Sequence, residues 1–303
     1  MTVEETQQSM TSTFQPDADW LAFVANPRKP QYKLPPGSVD AHCHVFGPGD
    51  VFPYAPERKY TPVDAPKEKL FALHRFLGFE RGVFVQSSCH GQDHAALVDL
   101  LQAGQGGYRG VALLASDTPA EEVERLDAVG VCGVRFHFMS HLGAPPPMED
   151  IRKVIRLVAP YGWHIAMHIA GEGAVEHFDF IRDLEAPVVI DHMARIDIAE
   201  GLNGEAFTAL LRLLDLGHVW VKLSGADRIS KAGPPFRDAI PFAKKLAQHA
   251  PERVVWGSDW PHPNVAHMPN DGDLVDLIAE ITPDVKARRL MLVDNPTRLF
   301  GFV

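Results

Sequence analysis

From Ser38 to His44 the chain reads SVDAHCH, a short run of apolar and β-branched residues that closes on two histidines. Seven runs of the same kind follow: GVFVQSS (Gly82–Ser88), YRGVALLA (Tyr108–Ala115), VCGVRFHF (Val131–Phe138), WHIAMHIA (Trp163–Ala170), PVVIDHM (Pro187–Met193), VWVKLSG (Val219–Gly225) and RVVWGSD (Arg253–Asp259). Their length and composition read as strands. Between them, DHAALVDLLQAG, PAEEVERLDAVG, MEDIRKVIRLVAPYG and GEAFTALLRLLDLG carry helical spacing of apolar residues, and several close on the glycine expected at a helix C-terminus. Eight strands alternating with helices predict an α/β fold whose parallel sheet closes into a single (β/α)8 barrel. No GxGxxG or P-loop pattern follows any strand, which argues against an open dinucleotide-binding sheet.

Residues 1–36 are polar and punctuated by proline, ending in NPRKPQYKLPPG, and read as an N-terminal arm; residues 37–303 are expected to form the barrel. The first twenty residues lack an apolar core of the signal-peptide type, and no apolar run approaches the roughly 20 residues that span a bilayer. The chain has 303 residues and a net charge of −10, which argues against nucleic acid as a partner. With 46% hydrophobic and 22% charged residues it can bury a large core. Three cysteines are too few for a disulfide framework, so a reducing cytoplasm is the expected location.

In a barrel, chemistry collects at the C-terminal ends of the strands. There the sequence places His42 and His44, then His168, then Asp191-His192, then Asp259. Residues two apart on a strand share a face, so His42 and His44 point one way and Cys43 the other. Imidazoles and a carboxylate make a donor set suited to one divalent ion such as Zn²⁺. Any single histidine could equally be a hydrogen-bonded core residue; the recurrence at strand ends is what favours a site. There is no GxSxG elbow, and a cysteine nucleophile at Cys43 or Cys89 has little support, while Cys132 reads as a buried strand residue. Lys222, inside the seventh strand, reads as a structural ion-pair partner rather than a Schiff-base lysine.

The order HxH, His, His, Asp resembles that of the amidohydrolase superfamily of barrel hydrolases. More narrowly, VDAHCHVFGP, VQSSCHG, GVRFHF, VVIDHMAR, ADRISKAGPP and VVWGSDWPHPN resemble the 2-pyrone-4,6-dicarboxylate lactonase group, which includes 4-sulfomuconolactone hydrolase. The resemblance runs from Lys33 to Phe302. It implies hydrolysis of a small anionic lactone from aromatic-compound breakdown, with Asp259 as general base and His192 polarising the carbonyl or supporting the oxyanion. It implies substrate contacts at Arg135, Arg195, Arg228, Tyr60 and His90. Two departures matter. The pyrone dicarboxylate lactonase proper works without a metal and carries tyrosine where this chain has His168, so histidine here implies a mononuclear site of His42, His44, His168 and Asp259. A further arginine of that lactonase aligns with His141, which shifts weight toward a differently substituted lactone, such as a sulfonated one.

The rival reading is a lyase of the same superfamily, a decarboxylase or a hydratase, which would use the same residues. A barrel kept only as a metal-free binding protein is the third. A homo-oligomer is compatible with a barrel of this size.

Overall fold

The structure is a computed structural model that describes residues 14–303. Eight strands form one parallel sheet in chain order. They are β1 (Val39–Cys43), β2 (Arg81–Val85), β3 (Tyr108–Ala112), β4 (Val131–His137), β5 (His164–His168), β6 (Val188–Ile190), β7 (Val219–Lys222) and β8 (Val254–Val255). Each predicted run supplies one strand. Beyond β8 the chain returns to β1: the Ala41 N–H donates to Trp256 O at 2.9 Å, and the Asp259 N–H to His42 O at 2.8 Å. The result is the expected (β/α)8 barrel.

Alternation divides the strands between two cores. Val83, Val85, Val111, Ala166, Val189 and Val255 fill the barrel interior, closed at the end away from the site by Phe300 and Phe302. Phe84, Ala112, Val134, Ile165 and Val188 face outward into the larger core shared with the helices. Helix Met148–Val158 buries Ile151, Val154 and Val158, one stripe at helical spacing. Each such side chain removed from water contributes about 1.5–3 kcal/mol. Gly133 on β4 is required by shape, because a Cβ there would stand 2.3 Å from the His164 ring.

β1 departs from plain alternation. Val39 and Ala41 belong to the interior cluster and Cys43 to the outer one. The β1–β2 register shifts between Asp40 and Cys43. This bulge lets Val39 and Ala41, and then His42 and His44, all face inward. Asp40 is left on the outer side, where it meets His74 Nε2 at 3.2 Å.

Residues 14–36 carry no helix or strand and lie along the barrel. Arg28 Nε donates to Asp273 Oδ1 at 2.7 Å, and Phe23 packs edge-on against Trp260 at 5.0 Å. The rest of the expected arm, residues 1–13, lies outside the described residues. Among the described residues no helix is long and apolar enough to cross a membrane.

Candidate active site

One buried carboxylate joins the two strand ends that carry the site. Asp40 Oδ1 accepts the backbone N–H groups of His42 at 3.1 Å and Ser258 at 2.9 Å, and Oδ2 accepts the Ser258 hydroxyl. The residues that follow, His42 and Asp259, are thereby held side by side.

Three donor atoms converge. His42 Nε2 lies 3.2 Å from His44 Nε2, and Asp259 Oδ1 lies 3.1 Å from His44 Nε2 and 3.6 Å from His42 Nε2, with His192 Nε2 at its edge 3.8 Å away. Ligand atoms about 2.0–2.1 Å from a tetrahedral ion stand roughly 3.3 Å apart, so the His42, His44 and Asp259 atoms have the right spacing for a divalent cation. His44 Nδ1 donates to Val85 O at 2.7 Å, which leaves Nε2 with its lone pair free. His42 Nδ1 has two neighbours, Lys222 Nζ at 3.0 Å and Asp191 Oδ1 at 3.4 Å. Coordination through Nε2 requires its proton on Nδ1, and Asp191 Oδ1, which also pairs with Lys222 Nζ at 3.1 Å, is the acceptor within reach. The residues therefore fit a metal ion.

His168 is placed differently from the other three expected ligands. Its Nδ1 lies 3.1 Å from His137 Nδ1, its ring centroid 5.6 Å from that of His192, and its Nε2 is buried without a partner. It lines the same pocket but stands outside the groups of donors that crowd together, where His192 stands instead.

His192 opens a turn of unusual hand. Four consecutive residues, His192 to Arg195, have φ of 50°, 52°, 55° and 45°. Left-handed backbone costs non-glycine residues about 1–2 kcal/mol each, so packing must hold it. Met193 and Ala194 are fully buried, and His192 Nδ1 lies 2.9 Å from Ser224 Oγ. A turn of three residues brings His192 and Arg195 to one side, and both line the pocket.

The electrostatics keep His42, His168 and His192 neutral and Asp259 charged. Burial lowers His192 to about 3 and pushes His42 and His168 well down. Burial also opposes the charge on Asp259, yet His192 and the Arg228 guanidinium beside it hold its carboxyl well below the usual range. Arg228 donates to Asp259 Oδ2 through Nε at 3.1 Å and Nη2 at 2.6 Å, and through Nη1 to the Pro263 and Asn264 carbonyls. Arg135 Nε donates to Asp191 Oδ2 at 2.8 Å. Arg195 makes no ion pair among the described residues, and burial brings it down to about 10.

Of the other expected contacts, Tyr60 and His141 line the pocket. The Tyr60 hydroxyl lies 2.7 Å from Ser87 Oγ. His90 does not reach it: its Nε2 accepts the Gly47 N–H at 3.1 Å, and its ring rests on Tyr54 at 5.0 Å. Lys222 pairs with Asp191 Oδ1 at 3.1 Å, as its strand position suggested. Asp40 and Ser224 take positioning roles that the sequence did not single out, and Asp191, which the sequence showed only at the strand end beside His192, takes another. Asp191 sat beside His192 in the run, but nothing local distinguishes it from a helix-capping aspartate.

A barrel that gathers histidines and an ionised carboxylate at the C-terminal ends of its strands defines a class, the enzymes that activate water against a polarised carbon centre. Residues 39–302 match the amidohydrolase family model, and the chain belongs to that family. It is 44% identical over 299 residues to a 2-pyrone-4,6-dicarboxylate hydrolase of Comamonas testosteroni, covering 95% of this chain and 98% of that one. It is 42% identical over 276 residues to a 4-sulfomuconolactone hydrolase of Rhizobium radiobacter, covering 90% and 92%. Among solved structures, a probable 2-pyrone-4,6-dicarboxylic acid hydrolase of Acinetobacter baumannii with citric acid bound is 27% identical, with a TM-score of 0.78 over 88% of this chain and 100% of that one.

Proposed function

We propose that the chain is a lactonase that opens a small anionic lactone of aromatic-compound catabolism, such as 4-sulfomuconolactone or a 2-pyrone dicarboxylate. The observation that carries this reading is the ionised Asp259 carboxylate beside the neutral imidazoles of His42 and His192, in a pocket whose wall includes Arg195 without a counter-ion. A half-buried unpaired guanidinium favours an anionic guest. The hydrolase names of the relatives support the same class. The lyase alternative has no such support.

Arg195, with the free Nη groups of Arg135, orients the acidic groups of the lactone. Asp259 Oδ1 takes the proton of the attacking water while Arg228 fixes Oδ2. With the Ser224 hydroxyl donating to Nδ1, neutral His192 carries its proton on Nε2 and donates to the developing oxyanion. The ring alkoxide then leaves to give the open-chain acid. His42, His44 and Asp259, with His168 as the further ligand, would hold one divalent ion, proposed to be zinc. Bound there, such an ion lowers the pKa of water and polarises a carbonyl oxygen. Three unpaired cysteines suit a reducing cytoplasm.

The test is ring opening of both lactones by the purified protein, followed by product analysis, with elemental analysis of the wild type and His168→Tyr. Ring-opened acid and about one zinc per chain in the wild type support the reading. Carbon dioxide release, or water addition with the ring intact, favours the lyase. Metal-free protein that still opens lactones removes the ion and leaves Asp259 to activate water alone.

A further inference from the structure

Outside the inner pocket a second cleft opens to solvent, and the two share Tyr60, His141, Arg195 and Asn264. The outer cleft adds Lys59 from the β1–β2 connection and Asp17, Asp19 and Trp20 from the N-terminal segment. That segment is fastened beside Tyr60. Asp17 donates its N–H to Thr61 O at 2.9 Å, and its Oδ2 accepts the Thr61 N–H at 2.9 Å. Trp20 stacks on the Tyr60 ring at 5.2 Å and 19°, with its edge on Phe46 at 6.0 Å. Lys59 leans over the turn that carries His141, its Cε 3.5 Å from where a Cβ on Gly143 would stand. Neither Lys59 nor His141 has an ion-pair partner among the described residues.

A lactone with two acidic groups needs cationic groups at both ends. In the inner pocket Arg228 is engaged by Asp259 and Arg135 by Asp191, so Arg195 is the guanidinium left without a carboxylate. A second anion is met further out, where Lys59 supplies charge and His141 a ring N–H on the cleft wall they share with Arg195. On the N-terminal segment of the same cleft, the Asp17 carboxylate is already used by Thr61, whereas Asp19 stands exposed. We propose that the outer cleft is the distal half of the substrate site: Lys59, His141 and Arg195 hold a second carboxylate or sulfonate of the lactone, and Trp20 walls the cleft and positions Tyr60. The proposal rests on the lactonase reading and assigns the N-terminal segment a part in specificity.

Opposite charges on the rim give the test a sign. Steady-state kinetics of the full chain are measured on 2-pyrone-4,6-dicarboxylate, a dianion, and on muconolactone, a monoanion. Lys59→Met is expected to raise KM for the dianion about three- to ten-fold, with the change on KM rather than kcat and with little change for the monoanion. Asp19→Asn is expected to lower the dianion KM, and both shifts shrink in high salt. Trp20→Ala is expected to lower kcat and raise KM for both lactones, with Trp20→Phe restoring most of the loss because the stack on Tyr60 survives; circular dichroism checks that each variant is folded. Dianion KM values within two-fold of wild type in both charge variants overturn the proposal while the lactonase reading stands. If the wild type opens neither lactone, the lactonase reading fails by itself. Calorimetric binding of pyridine-2,4-dicarboxylate then decides the cleft, since binding that Lys59→Met leaves unweakened refutes it.

Discussion

Replacing Gly257 by alanine reports on how closely the site is built into the closure of the barrel. Gly257 follows β8 and lies against β1, and its φ is not in the left-handed region, so the cost of a side chain there is purely one of space. A Cβ would stand 2.6 Å from His42 N, 2.7 Å from His42 Cβ and 3.0 Å from His42 Cα. Ordinary contacts begin near 3.4 Å. The atoms in the way are backbone and Cβ, which cannot swing aside as a side-chain tip can. β1 and the loop after β8 must therefore part by about 0.8 Å, and overpacking of this kind costs about 1–3 kcal/mol. The hydrogen bonds from Asp259 N to His42 O and from Ser258 N to Asp40 cross the same seam. His42 thus moves relative to Asp259. A misplacement near 1 Å at reacting groups costs about 100-fold in rate. We expect Gly257→Ala to fold, to lose about 1–3 kcal/mol in urea denaturation, and to lose about 100-fold in kcat for lactone opening, with KM changed much less because the arginines lie on other strands. A variant of wild-type stability whose kcat stays within three-fold would refute the reasoning.

Three further outcomes are expected. Arg228→Met removes the cation that holds Asp259 ionised, so the Asp259 pKa rises and the acidic limb of the kcat/KM profile moves to higher pH; an unmoved limb places the base elsewhere. Ser224→Ala takes away the partner of His192 Nδ1 and should lower kcat about ten-fold or more with little change in KM, as measured by initial rates. His262 is buried against Asp271 at 3.0 Å, and although burial opposes its charge, the Asp271 carboxylate raises its pKa above the usual value. Its contribution to stability is therefore complete below about pH 6.5 and is lost as the pH rises through the raised native value. The stability gap between wild type and His262→Asn, followed by urea denaturation, should shrink as the pH is raised above about 6.5, and a constant gap would count against the pairing.

How much of the site was legible depended on whether the signal was local. His42 and His44 share a face because they are two residues apart, and the sequence shows that spacing directly. Their facing the interior together with Val39 and Ala41 was not legible, because the bulge in β1 arises from its pairing with β2. Asp259 was readable as the carboxylate closing the last strand. Its grip by Arg228, 31 residues earlier, was not, since a guanidinium near a strand end can face substrate, solvent or a neighbour with equal ease. His168 and His192 were both visible as strand-end histidines. The left-handed turn from His192 to Arg195 decides which of them leans toward Asp259, and no glycine marks it.

The alternation of eight strands with helices and the collection of ligand-type residues at the strand ends are legible along the chain, because periodicity and residue chemistry are properties of sequence neighbours. The tertiary structure alone decided which charges are engaged and which remain for a guest. Lys222 with Asp191, Arg228 with Asp259, and Arg195 with no carboxylate are outcomes of closing the sheet, which brings residues from distant strands within 4 Å. In a buried pocket of low polarisability those pairings fix the ionisation of every group, and so the chemistry the site can perform.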